Sequence, residues 1–596
     1  MDLNRKLSSL QEISKAQLSK ILSIVTATKY VVLEPSIIRP LERVCGVKWL
    51  KSNGVEKIFK LEPTCPSFEN SSVFYMIFSN LAKFRQVVDQ IHSQISQDNP
   101  PKNKYHIIVV PRYLNYFQDE LEELGLYSVI KLHSFQWFPL HLDTGILSLE
   151  LPNIYKSLFL QLDYTFLPLL SRALWNLFFV IGKPRFIVAL GEYSNKILSQ
   201  VDILIEDKGD CDKLDSDIGG IVLIDRNFDY PSALLTPGTY AALLNEVYGV
   251  TCGICEYKEE SVDEKKEDRL HPVIKKQPVN FMLDSNQDLV YADIKNRYFT
   301  EVTSVLSTLT KQLKTEKVQS KEMALDEIKS YVQNKLQATK SRKKCITNHL
   351  LAAETIINVL GSRYETQQEV ESDIIKNTNK STNFSYAEEG LCVEDDACVT
   401  LRLFCLLCVT QKLSESEVKS FWRKFVHQFG FSCSFAHRYL INAGFIPEPI
   451  VASSSLNLQS KIRLPKFISN EFYSNANRFK QIPPNPEKIN LKFPTCASYV
   501  FGGIYIPLIT QIASMILNAT PIDEIKSKLG GLGLMTIRND MGFPLQRRSL
   551  LIFMVGGVTY AEIAACNLLE TLTGAKIVIL SDKIINGNNL MKEILS

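Results

Sequence analysis

The sequence predicts an α/β protein interrupted by a large helical insertion, and three observations carry that prediction. Short apolar runs alternate with helix-like stretches as far as about residue 245. Proline occurs 25 times in the chain yet is absent from Val279 to Ile446. It is excluded from helix interiors because it removes a donor and clashes with the preceding turn. From Ser549 the chain then reads strand, glycine turn, helix, strand, a complete βαβ unit.

Taken in order, the chain begins MDLNRKLSSLQEISKAQLSKILSIV, with Leu3, Leu7, Leu10, Ile13, Leu18, Ile21 and Leu22 near helical period. Charges interrupt that run, so it lacks the unbroken apolar core of a secretory signal. The runs KYVVLEPSI, KIFKLE, VFYMIFS and YHIIVVP read as strands of a parallel sheet covered on both faces. A second set, SVIKL around Val129, FIVALGEYS from Phe186 and IVLID from Ile221, reads as an incomplete second lobe whose missing strands lie after Ser549.

Between these parts, TEVTSVLSTLTKQLKTEK and KEMALDEIKSYVQNKLQATKSRKKCITNHLLAAETIINVLG read as long helices. Glu256–Pro278 is charged and aperiodic and reads as a mobile surface loop. NPPKNK near Pro100 and QIPPNPEK near Pro483 read as turns. The predicted division is therefore 1–130, a first α/β domain; 131–245 with 490–596, a discontinuous second; and 246–489, a mainly helical third.

Composition narrows the function. Sixty-seven Lys and Arg against 64 Asp and Glu leave a net charge of +3, which gives no general attraction to nucleic acid. No run of 18 apolar residues occurs, the nearest being Leu551–Val558, so no membrane span is expected and a cytoplasmic protein is predicted. Thirteen scattered cysteines fit reduced thiols. Neither Cys252 with Cys255 nor Cys405 with Cys408 has a local histidine to complete a zinc site, and the second pair reads as buried apolar cysteine. Lys340, Arg342, Lys343 and Lys344 read as a solvated helix end rather than a lipid contact.

The most informative stretch is Ile221–Gly249, IVLIDRNFDYPSALLTPGTYAALLNEVYG. A strand ending in Asp225, with Asp229 four residues on, resembles a carboxylate site for a nucleotide-bound metal, but that role needs a phosphate loop. KLGGLGLM, at Gly530, Gly531 and Gly533, reads as a left-handed helix cap, and FGG at Gly502–Gly503 lacks a following lysine. VGGVTYAEI, at Gly556 and Gly557, could hold an anion at a helix start, yet lacks both the Walker and the GxGxxG spacing. Asp225 and Asp229 are therefore expected to fix the turn by hydrogen bonds to backbone amides, alanine at either lowering stability.

With Asp225-Arg226-Asn227, Asp229, Leu234 to Pro237, Thr239-Tyr240 and Glu246 to Gly249, this segment resembles the signature of the SM (Sec-one/Munc-eighteen) proteins. Pro139–Leu151, Tyr499–Leu508 and Ile552–Ala565 agree. GVEKIFKLEP near Gly54 and KIINGNNLMKEI near the end are similar to the vacuolar protein sorting thirty-three subgroup. Leu121–Pro152 and DYPSALLTP favour its B-type, while Gly557-Val558-Thr559 and Asn586-Gly587 are A-like; B-type is the reading preferred.

The resemblance implies a three-domain arch, the second domain split by the helical third, without catalytic site, metal or cofactor. It implies a regulator of SNARE-driven fusion that grips SNARE helices between its first and third domains and holds them in register. Met323, Ile328, Tyr331, Val332 and Leu336 are the helix positions assigned to that contact. Asp225, Arg226, Asp229, Pro237 and Tyr240 are assigned to a structural junction. Implied partners are SNARE proteins and a vacuolar sorting sixteen-type subunit, in a small B-type assembly or in HOPS and CORVET if A-type. The expected location is peripheral, on late endosomes and lysosomes through partners. The competing reading is a nucleotide-dependent switch or hydrolase with its phosphate at Gly556-Gly557.

Overall fold

The computed structural model describes residues 3–64, 68, 71–96, 102–209, 216–257, 276–319, 336–361, 363–393, 396–447, 472–540 and 542–596. The chain forms two compact units, one of residues 1–142, 147–150 and 172–181, the other of the remainder.

In the first unit, helix Leu3–Leu22 buries Leu7, Leu10, Leu18 and Leu22, the stripe its spacing predicts. Five parallel strands follow: β1 (Lys29–Leu33), β2 (Val55–Lys60), β3 (Ser72–Phe78), β4 (Lys104–Val110) and β5 (Ile130–Ser134), in the order β2-β1-β3-β4-β5. Central β3 is buried at every position, as a strand covered on both faces must be. Tyr75, Ile77, Tyr105, Ile107 and Val109 point to one face, where Phe84, Val88 and Phe117 meet them from helices Leu81–Ile95 and Asn115–Glu123.

One strand changes lobe. The run around Val129, expected to open the second lobe, is β5 and closes the first sheet beside β4. A short apolar run carries no address; the helix before it, Asn115–Glu123, returns the chain to the neighbouring parallel position.

On the other face of this sheet, His106 of β4 is 2% exposed, stacks on Phe74 at 4.5 Å and meets His133 of β5 with Nδ1 and Nε2 3.0 Å apart. One ring donates and the other accepts, and burial lowers the pKa of both, which favours the neutral pair. Burial, then the neighbouring His133, Lys131 and Lys104, push His106 down from 6.5 to about 4. As pH falls below 6.5 the unfolded chain binds a proton that the folded pair refuses, so stability declines toward pH 4. The slope is at most about 1.4 kcal/mol per pH unit for one proton. Amide exchange of β3 and β4 followed between these pH values should show that slope flattened in His106→Gln; an unchanged slope would refute the assignment.

Strands β6 (Leu140–Asp143) and β7 (Ile146–Ser148) each contribute residues to both units. Wholly inside the second unit are β8 (Phe186–Leu190), β9 (Gly220–Asp225), β12 (Met535–Asn539), β13 (Ser549–Val555) and β14 (Lys576–Ser581), in the sheet order β12-β8-β9-β13-β14. All but β12 are parallel. Strands from either side of the helical segment thus pair directly, Ile221 with Leu551 and Asp225 with Val555. The antiparallel ribbon of β10 (Ile254–Glu256) and β11 (Asn280–Met282) brackets residues 258–275, the core of the predicted loop, which lie outside the described residues.

Among the described residues the proline-free interval after β11 is mainly helical, with helices including Phe299–Gln319, Leu336–Leu360, Arg363–Ile375, Lys380–Val393, Ala397–Thr410 and Glu415–Phe429; residues 320–335, which hold the start of the second predicted long helix, lie outside the described residues. It belongs to the same compact unit as the second sheet. Their starts are chemically marked: Asp396 accepts from the Cys398 amide, and Ser414 with Glu417 forms a capping box. Cys405 and Cys408 are buried in helix Ala397–Thr410, and burial raises both thiols. Among the described residues no helix is long and apolar enough to cross a membrane.

The glycines of KLGGLGLM behave differently from expectation. Helix Ile522–Gly530 ends with Gly531 at φ −75°, in the right-handed region, and among these glycines only Gly533 has positive φ, +139°. The chain closes the helix with a Leu532 amide to Leu529 carbonyl bond instead of a left-handed cap.

Candidate functional site

Strand β9 is buried throughout and delivers Asp225, 1% exposed, to its C-terminal end. Its carboxylate crosses to the neighbouring βα turn. There it accepts from the amides of Tyr193 at 2.9 Å and Ser194 at 2.8 Å, and from the Ser194 hydroxyl at 2.6 Å. Asp225 therefore caps helix Glu192–Lys208, whose own N-cap, Gly191, has no side chain to do so. Gly191 sits at φ +106°, and a Cβ there would lie 2.1 Å from Asp225 Oδ2. The expectation that Asp225 fixes its own turn is corrected: it secures the preceding strand-to-helix turn, because parallel pairing of β8 and β9 sets the two strand ends side by side. Burial outweighs the three donors and raises this carboxyl to about 7.

Arg226 is wholly buried. Its Nη1 donates to both Glu562 oxygens at 2.9 Å, and its Nη2 donates to the Asp229 carbonyl. Burial works against the charge, but Glu562 and then Asp229 hold the guanidinium protonated. Asp229 accepts four bonds: from the Ser232 amide and hydroxyl at 3.2 and 2.7 Å, the Tyr505 hydroxyl at 2.8 Å and the Leu508 amide at 2.7 Å. The first two fix the local turn as predicted; the Leu508 bond caps helix Leu508–Leu517, far along the chain.

The loop that follows is gripped by the helical segment. Arg402 donates from Nε and Nη2 to the Leu234 and Leu235 carbonyls and pairs with Glu246 at 3.0 Å. Glu371 accepts from the Thr236 amide at 2.8 Å and its hydroxyl at 2.7 Å, and the Tyr364 hydroxyl donates to the Pro237 carbonyl. Tyr240 meets His349 Nδ1 at 2.8 Å, and His349 Nε2 meets Asp288 at 3.1 Å. Asp225, Arg226, Asp229, Pro237 and Tyr240 are thus brought into one continuous, buried junction between sheet and helices.

The glycine turn offers no room for a phosphate. Gly556 and Gly557 have φ of +95° and +99°, and a Cβ on either would strike Phe159 or Ile585 within 2.7 Å. Both amides are already used by the buried Asp582 carboxylate, Gly556 at 2.8 Å. At the start of helix Tyr560–Thr573, Thr559 and Glu562 form a capping box, so the anion at this helix end is the protein's own. The cavity beside it measures about 10 Å³, water-sized at most.

Residues missed at the sequence level include Glu371, Arg402, Glu562 and Asp582. Arg402 had a usable signal, a single charge inside the apolar run ACVTLRLFCLLCVT; Thr559 and Glu562 had another, the T-x-x-E spacing. Of the positions assigned to SNARE contact, Met323, Ile328, Tyr331 and Val332 lie outside the described residues. Leu336 opens helix Leu336–Leu360, its side chain likewise outside the description.

A split α/β sheet tied through a buried arginine junction to a long helical segment defines the class. The Sec1 family matches residues 29–593, and the chain belongs to it, a family of non-enzymatic SM proteins that bind SNAREs. Within that family it is similar to Vacuolar protein sorting-associated protein 33B of Danio rerio, 23% identical with 99% of this chain and 97% of the relative covered. The corresponding human protein is also 23% identical, at 98% and 96% coverage. Vacuolar protein sorting-associated protein 33A of Rattus norvegicus is 25% identical, at 99% and 98%. The fold is that of the SM protein Vps45 solved in complex with the Qa SNARE Tlg2, with TM-score 0.58, 13% identity and 98% and 97% coverage. It is equally that of the Unc18 chain in the Unc18-syntaxin 1 complex from Monosiga brevicollis, with TM-score 0.58, 12% identity and 98% and 99% coverage.

Proposed function

We propose that this chain binds SNARE helices, holds them in register for zippering, and works as the SM subunit of a tethering complex in endosome-to-lysosome traffic. The observation that carries this reading is the Sec1 family match over residues 29–593, joined to likeness with proteins named for vacuolar protein sorting. Two proteins of the same fold were solved with SNAREs, Tlg2 and syntaxin 1. Aligning one helix against another lowers the entropic barrier to coiled-coil assembly, a task that needs geometry rather than a reactive group. In this reading the second α/β domain is discontinuous about the helical third, a sixteen-type subunit of the B-type assembly is the constitutive partner, and membranes are reached through partners. The template lies on the helices between about 295 and 360.

Calorimetry of the purified chain, alone and with its sixteen-type subunit, against SNARE motifs is the test. Saturable SNARE binding is expected, with Ile328→Asp and Tyr331→Asp weakening it roughly tenfold or more and leaving subunit binding intact. No binding to any SNARE motif in either form would sink the proposal, and saturable binding of magnesium nucleotide would favour the switch reading instead.

A further inference from the structure

At the amino-terminal ends of β8, β9 and β13, opposite the junction, the structure holds a cavity of about 560 Å³. It is polar, and among the described residues its charged lining is Lys183, Arg185, Arg547 and the carboxylate of Asp540, with a second carboxylate, Asp217, paired to Arg547. Each cation comes from the connection that enters a strand, Lys183 and Arg185 from that before β8, Arg547 from that before β13.

The rim is built rather than incidental. A Cβ on Gly219 would lie 2.1 Å from the Arg547 carbonyl, and one on Gly542 would lie 2.7 Å from Arg185 Cβ, so glycine at both positions lets the connections touch. The Gly219 amide donates to the Ser549 carbonyl and hydroxyl at 2.9 and 3.0 Å, and the Ser549 hydroxyl donates to the Asp217 carbonyl at 2.9 Å. The Asp540 amide donates to the Arg185 carbonyl at 3.1 Å, and Arg547 Nη1 donates to Asp217 Oδ1 at 3.1 Å. Arg185 is exposed and forms no ion pair among the described residues. Arginine and lysine converging on a held, polar cavity are suited to phosphate, which accepts paired N–H donors and gains from focused positive charge.

We infer that this cavity binds a multiply phosphorylated polyol, presented either as a lipid headgroup or as a free inositol phosphate. The site does not depend on SNARE contact, being on the second sheet and not on the helices assigned to that task.

The full chain is titrated calorimetrically with inositol hexakisphosphate. Its sedimentation is then measured with phosphatidylcholine vesicles, plain or carrying phosphatidylinositol bisphosphate. Saturable binding is expected, weakened roughly tenfold in Arg185→Glu and Lys183→Glu, retained in Arg185→Lys, and unaffected by Lys343→Glu with Lys344→Glu on the exposed helix. Circular dichroism confirms that each variant is folded. Sedimentation with the phosphorylated vesicles, reversed by the soluble probe, identifies the headgroup source; binding of the soluble probe alone identifies the free one. Absence of saturable binding, or binding undiminished by Arg185→Glu in a folded chain, overturns the inference. SNARE binding by Arg185→Glu stays at the wild-type level, so failure here leaves the proposed function standing, and failure there leaves this site standing.

Discussion

Arg226→Met is expected to destabilise the second unit by about 3–5 kcal/mol, the loss typical when one partner of a buried ion pair is removed. Glu562 would then be an uncompensated charge with no water to receive it, since both side chains are wholly buried. The double variant Arg226→Met with Glu562→Gln should recover more than half of that loss. Glutamine keeps the capping acceptor while removing the orphaned charge. Urea denaturation followed by amide exchange in β9 and β13 measures both, and avoids assuming that two units unfold as one. A single variant within about 0.5 kcal/mol of wild type would mean that the pair does not hold the junction.

Asp229→Ala is expected to be nearly as severe, again about 3–5 kcal/mol. Its carboxylate satisfies four donors from two separate segments, at Ser232 and at Tyr505 to Leu508, and bonds to charged groups contribute about 1.5–3 kcal/mol each, short of additively. Asp225→Ala should cost less, about 1–2 kcal/mol, because it removes one helix cap. The pH behaviour separates the roles of Asp225. Its folded value of about 7 lies above the ordinary 3.8, so the folded chain keeps a proton that the unfolded chain releases. Its contribution is full below pH 3.8 and is lost as pH rises toward 7. Asp225→Asn should flatten that part of the profile; equal effects of alanine at 225 and 229, with no change in pH slope, would contradict the assignment.

Much of this was legible before any coordinates. The period of the N-terminal helix, the parallel strands, the proline-free helical interval and the closing βαβ unit all follow from local rules: side-chain spacing, exclusion of proline from helices, and glycine at tight turns. The junction segment was legible too, because its aspartates stood at a strand end without a phosphate loop, metal set or nucleophile to serve. What the local rules could not supply were partners. Asp225 looked like the anchor of its own turn, yet its donors are Tyr193 and Ser194. The strand near Val129 looked like the start of a lobe, yet it completes the sheet before it.

The sequence by itself determined the central parallel strands and several of the long helices, that the α/β pattern breaks and resumes, and, through resemblance, the Sec1 family. Only the tertiary structure decided that the anion at the Gly556-Gly557 turn is the protein's own carboxylates, and that Arg402 and Glu371 hold the Leu234–Pro237 loop. The reason is physical. Secondary structure depends on neighbours a few residues away, whereas satisfying a buried charge depends on whatever group the fold brings within about 3 Å; here Glu562 reaches Arg226 from beyond the helical insertion, and Arg402 and Glu371 reach the loop from within it.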